Sequence, residues 1–186
     1  LGVRKISSRD LDQYPWNEWN FQRNSPLAPA DFSDGSDKRA WWKCHKGHEW
    51  QAGIRNRVAL GSGCPFCAGL KVWTGFNDLE TLQPLLAKEW SEKNPTAAKN
   101  QLAGGNKKFW WKCPAGHEYE ASVNSRIKLG TNCPVCSNQS IVQGVNDLGT
   151  KLPEIAKSWP PKRTGDLLPS QVSVGSDKKA WWLCSS

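Results

Sequence analysis

Hydrophobic and polar positions alternate most clearly just after two tryptophan pairs. Trp50, Ala52 and Ile54 alternate with Gln51 and Arg55, and Tyr119, Ala121 and Val123 repeat the pattern. This predicts two half-buried strands. Trp41-Trp42 and Trp110-Trp111 predict the strand before each of them, with one ring inward and one outward. Asp78-Leu79 and Asp147-Leu148 carry a helix N-cap signal, as does Asp10-Leu11. Pro84 and Pro153 suit a first helical turn, so short helices are expected over 84–90 and 153–159. Leu86 with Trp90, and Ile155 with Trp159, lie four apart and share one face, as core packing requires. Polar connectors at 91–98 and 160–165 read as surface loops.

The pattern repeats. A shift of 69 residues carries Trp41-Trp42 onto Trp110-Trp111, Cys44 onto Cys113, His48 onto His117, and Asn77-Asp78-Leu79 onto Asn146-Asp147-Leu148. A shift of 140 carries Gly35-Ser36-Asp37-Lys38 onto Gly175-Ser176-Asp177-Lys178 and Trp41-Trp42 onto Trp181-Trp182. The chain is a tandem array of period near 70: units 9–75 and 76–144, and an incomplete unit 145–186.

Each full unit carries Cys-x3-His, fifteen residues, then Cys-x2-Cys. Cys44, His48, Cys64 and Cys67 form one set, and Cys113, His117, Cys133 and Cys136 the other. Two close pairs of soft ligands joined by a short segment are what a closed tetrahedral zinc site needs. His45 stands beside the first set, but Pro114 holds its place in the second unit, so His48 is the ligand. Cys184 aligns with Cys44 and Cys113, so a third site is expected in a longer chain. With no Met and a start at Leu1, the sequence reads as a fragment or a processed product.

Composition narrows the picture further. Units this small bury too little apolar surface for comfort, which makes a metal staple expected. Seven Cys with matched His residues favour zinc in a reducing, intracellular compartment over a disulfide framework. Cytosol, nucleus and organelle interior are equally open, and no apolar run reaches the length of a membrane span.

Lys and Arg outnumber Asp and Glu by 25 to 17. Three thiolates and one Zn2+ give each site a net −1, which takes the formal +8 to about +6. That balance suits a polyanion, DNA or RNA. The basic positions that recur between units are Lys38, Lys107 and Lys178; Arg39, Lys108 and Lys179; Lys43 and Lys112; and Arg57 and Arg126. These are the candidate phosphate contacts, and their neighbours Trp42, Trp111 and Trp182 are candidate stacking faces. No catalytic set is evident: two of the three His are ligands, and no Ser–His–Asp set, paired carboxylate or phosphate-cradling Gly loop is present. A non-enzymatic protein is expected, either a nucleic-acid-binding array or a protein-interaction scaffold in a large assembly such as a ribosomal or transcription complex.

Trp-Trp-Lys-Cys-x3-His-Glu-aromatic, a following Arg, Gly-x2-Cys-Pro-x-Cys and Asn-Asp-Leu together resemble the treble-clef "probable zinc-ribbon" repeats. Those repeats occur in tandem and in some proteins beside nuclease-like domains. The resemblance implies small α+β zinc-stabilised modules, each a knuckle, a β-hairpin and a short helix. It places Cys44/His48 and Cys113/His117 on knuckles with the Cys-x2-Cys pairs opposite, and nucleic-acid binding is what the fold relatives imply.

Overall fold

The computed structural model describes residues 12–160 and 167–184. The cap expected at Asp10-Leu11 and most of the 160–165 connector lie outside them. Among the described residues the strands form two separate antiparallel hairpins. In the first, β1 (Arg39–Lys43) pairs with β2 (Glu49–Gly53), placing Trp42 opposite Trp50. In the second, β3 (Lys108–Lys112) pairs with β4 (Glu118–Ser122), placing Trp111 opposite Tyr119.

Both leading strands show the same inside–outside pattern. Ala40 and Trp42 point inward with Cys44, and Phe109 and Trp111 point inward with Cys113. Trp42 and Trp111 are wholly buried, so the stacking role expected of them is corrected: they are core residues. Their indole N–H groups donate to Ala52 O (3.2 Å) and Ala121 O (2.9 Å), which satisfies the only polar atom each ring buries. The outer members are Trp41 and Trp110, both half-buried.

An indole from upstream packs edge-on against the core rings Trp42 and Trp111, and against the exposed Trp182 of the third unit. Trp19 meets Trp42 at 5.4 Å and 86°, Trp90 meets Trp111 at 5.2 Å and 87°, and Trp159 meets Trp182 at 5.1 Å and 80°. These near-perpendicular contacts place the positive edge of one ring on the negative face of the other. In the first two units an asparagine amide then pairs the outer edge of the leading strand. Asn24 follows α1 residues Phe21, Gln22 and Arg23 at the end of a single turn (Phe21–Asn24). It donates to Trp41 O (2.8 Å) and accepts from Trp41 N (2.9 Å), and Asn94 does the same to Trp110 (2.7 and 2.9 Å).

The trailing strand ends sooner than alternation predicts. Ile54 and Val123 open short helices, α2 (Ile54–Val58) and α5 (Val123–Lys128), instead of closing a strand. Ser122 caps α5 by accepting from Ser125 N at 3.0 Å. The change of period matters because residues three apart on a helix share a face. Arg57 and Arg126 therefore turn inward beside Ile54 and Val123, and both are buried.

Asp78 and Asp147 do cap helices: α3 (Leu79–Leu82) and α6 (Leu148–Lys151). The Pro-led helices α4 (Pro84–Ala87) and α7 (Pro153–Ala156) follow and are one turn long, ending before Trp90 and Trp159. Buried residues gather in three clusters: one around Trp16, Trp19, Trp42 and Ile54, one around Leu79, Phe109, Trp111 and Val123, and a smaller one of Leu148, Trp159 and Val172.

Candidate metal centres

Each hairpin turn is itself the first ligand knuckle. Cys44 N donates to His48 O (3.0 Å) and Gly47 N donates back to Cys44 O (2.8 Å). Gly47 adopts φ +83°, a backbone state that L side chains avoid, so the turn needs glycine. Cys113, Gly116 (φ +84°) and His117 repeat this geometry with the same distances. The second knuckle is the turn at Cys64-Pro65-Phe66-Cys67, where Ala68 N donates to Cys64 O (3.0 Å), and its counterpart begins at Cys133. Beyond it the chain continues in turns rather than entering a helix, with Gly69 and Asn138 at positive φ.

The four ligand atoms of each set lie within 4.8 Å of one another. In the first, His48 Nδ1 is 3.5 Å from Cys44 Sγ, 3.7 Å from Cys64 Sγ and 3.4 Å from Cys67 Sγ, and Cys44 and Cys67 are 3.9 Å apart. In the second, His117 Nδ1 is 3.5 Å from Cys113, 3.7 Å from Cys133 and 3.2 Å from Cys136, with Cys113 and Cys136 3.8 Å apart. A tetrahedron with Zn–S near 2.3 Å and Zn–N near 2.0 Å has S···S edges of about 3.8 Å and N···S edges of about 3.5 Å. The residues fit two zinc ions, each held by three thiolates and an imidazole Nδ1. No protein position is left for a reacting water, so these are structural centres. His45, expected outside the ligand set, is exposed.

Electrostatics agree with a cation between the ligands. Burial pushes the Cys67 thiol up to about 12, helped by the thiols of Cys64 and Cys44, and Cys136 rises to about 11 for the same reasons. A divalent ion between the ligands offsets the cost of ionising Cys67 and Cys136. At Cys113 burial alone would raise the pKa, but the backbone N–H groups of His117 and Ala115 outweigh it and the net shift is downward. Burial, then the charges of Lys46 and His45, lower the His48 pKa, which favours the neutral imidazole that metals bind.

The two centres differ in their cover. Over His48 lie Phe76 (4.4 Å between ring centroids), Trp73 (4.9 Å) and Phe66 (5.6 Å). The 69-residue shift turns these three into Val145, Val142 and Val135. His117 is correspondingly half-exposed, and a cavity of 650 Å³ opens beside it, lined by Val135, Val145, Leu152 and Val174 among others.

The recurring cations divide into two groups. Lys38, Arg39, Lys43, Lys107, Lys108, Lys112, Lys178 and Lys179 are all exposed. Arg57 and Arg126 are not, and their expected contact with phosphate is corrected. Arg57 pairs with Glu18 and donates to Tyr14 Oη (2.9 Å) and Ser62 O. Arg126 pairs with Glu89 (2.5 Å) and donates to Thr131 O (3.0 Å) and Tyr119 Oη. Each guanidinium also lies over the core indole, Trp42 at 4.9 Å or Trp111 at 5.1 Å. These arginines tie α2 or α5 to the upstream segment and to the loop that enters the second knuckle. The sequence held a signal for this: Ile54, Arg57 and Val58, like Val123, Arg126 and Ile127, have helical spacing.

Among the described residues no helix is long and apolar enough to cross a membrane. No curated protein matches the chain. The family model described as the probable treble clef zinc finger domain matches three times, over residues 16–70, 86–139 and 155–186. Both complete ligand tetrads fall within the first two segments, and the matches together span well over half of the sequence. This chain belongs to the family of probable treble clef zinc finger domains.

Proposed function

We propose that the chain is a non-enzymatic, zinc-stabilised array that binds the phosphate backbone of nucleic acid. The observation that supports this reading is the recurrence of exposed cations at the open end of each hairpin. Lys38 and Arg39 enter β1, and Lys107 and Lys108 enter β3. All four are exposed, and among the described residues none forms an ion pair. Lys178 and Lys179 hold the same place in the third unit. Lys43 is partly engaged, with Glu49 at 3.6 Å.

Base stacking contributes less to this reading. The outer indoles already carry cations: Arg23 sits 4.0 Å over Trp41 and Lys93 4.8 Å over Trp110. Glu49 holds Arg23 at 3.1 Å, and Glu118 holds Lys93 at 2.5 Å. Backbone contact without sequence reading fits this surface.

The zinc-loaded chain should be titrated with duplex DNA, single-stranded DNA and structured RNA across a salt series. Binding should weaken steeply with salt. The pairs Lys38→Glu/Arg39→Glu and Lys107→Glu/Lys108→Glu should each lower affinity and flatten the salt slope by about 1 per contact removed. No binding to any of the three at low salt rejects the proposal. The protein-scaffold reading would then lead, favoured by the apolar cavity beside His117.

A further inference from the structure

We infer that Asn77 and Asn146 are positioning residues for the metal centres, and that through them each centre is coupled to the start of the next unit. Asn77 uses its whole side chain on the unit behind it. Its amide donates to Phe66 O and Lys71 O, both at 2.9 Å, and its Oδ1 accepts from Trp73 N at 2.7 Å. Phe66 lies between the ligands Cys64 and Cys67, so one of these bonds grips the second knuckle itself. The loop that Asn77 closes is the one that lays Trp73 and Phe76 over His48.

The very next residue belongs to the unit ahead. Asp78 caps α3, accepting from Thr81 N (2.9 Å) and Thr81 Oγ1 (2.7 Å), and also holds Gly75 N (2.6 Å). Leu79 is buried in the second core, and its N–H donates to Gln101 O (2.7 Å). The carbonyl of Asn77 accepts from Ala103 N (3.1 Å). No free linker residue separates the grip on one unit from the grip on the other.

The second junction repeats most of these bonds. Asn146 donates to Val135 O (2.8 Å) and Ser140 O (2.9 Å) and accepts from Val142 N (2.7 Å). Asp147 accepts from Thr150 N (3.0 Å), Thr150 Oγ1 (2.7 Å) and Gly144 N (2.6 Å), and Leu148 N donates to Val172 O (2.8 Å). Neighbouring units joined this way share stability through their interface, as in other repeat arrays. Coupling is reciprocal: a knuckle held closed by zinc steadies the next cap, and a steady cap holds the knuckle closed.

The test uses the full zinc-loaded chain. EDTA is added with N-ethylmaleimide, and mass spectrometry of peptides reads how fast Cys64/Cys67 and Cys133/Cys136 are labelled. Asn77→Ala, which loses three hydrogen bonds, should speed labelling of Cys64 and Cys67 by at least about tenfold, while Cys133 and Cys136 change little. Asn146→Ala should reverse that preference. Asn77→Asp, which keeps the acceptor for Trp73 N but sets a carboxylate oxygen against the carbonyls of Phe66 and Lys71, should act in the same direction and at least as strongly. Amide exchange at Thr81 and Ala103 should rise in Asn77→Ala and also in Cys67→Ser, which disables the first centre only. Equal acceleration at both centres would mean general destabilisation and overturn the inference. So would exchange at Thr81 and Ala103 that is unaffected by Cys67→Ser.

Discussion

Arg57 and Glu18 stand 39 residues apart in sequence and form an ion pair whose guanidinium is wholly buried. Arg126 and Glu89 make the same link in the second unit. Removing one partner of such a pair leaves an uncompensated charge in the core, which costs roughly 3–5 kcal/mol. Glu18→Ala should therefore be as damaging as Arg57→Ala in chemical denaturation. The double variant Glu18→Leu/Arg57→Met should recover much of the loss, because it buries no unpaired charge. Additive losses in the double variant would contradict this account.

Zinc stoichiometry checks the metal centres directly. Elemental analysis should find two zinc ions per chain, and Cys64→Ser should leave one. A chelator should abolish the near-ultraviolet dichroism of the buried tryptophans, since folding of small metal-stapled units depends on the ion.

The unequal cover of the two centres predicts unequal lability. His48 is shielded by three aromatic rings, whereas His117 borders a cavity. Under limiting chelator the Cys113 centre should empty first. Val145→Phe, which restores the ring found at Phe76, should slow its release. Simultaneous release from both centres in the unaltered chain would show that cover does not govern exchange.

Asp78 offers a test of the junction cap that does not touch a ligand. Burial alone would raise its pKa, but bonds from the Thr81 hydroxyl and from the N–H groups of Thr81 and Gly75 outweigh it, and the net shift is downward. A depressed carboxyl stabilises the fold fully above its unfolded pKa, and the benefit is lost as pH falls through the lower folded value. Asp78→Ala should thus cost about 1–2 kcal/mol. That deficit should be constant from about pH 5 to 8, where the group is ionised folded and unfolded alike. A deficit that shrinks within that range would refute the assignment.

Much of this was legible because zinc restricts residue type and spacing so tightly. Four soft ligands in two pairs, met twice, leave few alternatives, and strand alternation located both hairpins. Alternation misleads at one step: Ile54 fits both a period of two and the first turn of a helix, so alternation carries the strand past Gly53. Recurrence alone, with Arg126 at the same position, marks Arg57 as a phosphate contact. Its burial depends on Glu18, a partner whose position no local pattern encodes. The choice between Trp41 and Trp42 was recoverable, since Trp42 shares the parity of Cys44, a ligand that must face inward. The grip of Asn77 on Phe66 was not recoverable, since a side chain reaching back eleven residues leaves no periodic trace.

A two-stranded ribbon ordinarily offers an open flank where a foreign peptide can add as a third strand. Here the upstream segment covers the outer flank of β1 and β3, where the amides of Asn24 and Asn94 imitate a peptide group. Strand addition is therefore obstructed on that side. Neighbouring units along one chain cannot zipper together through their leading strands, and a partner strand must pair with β2 or β4 instead.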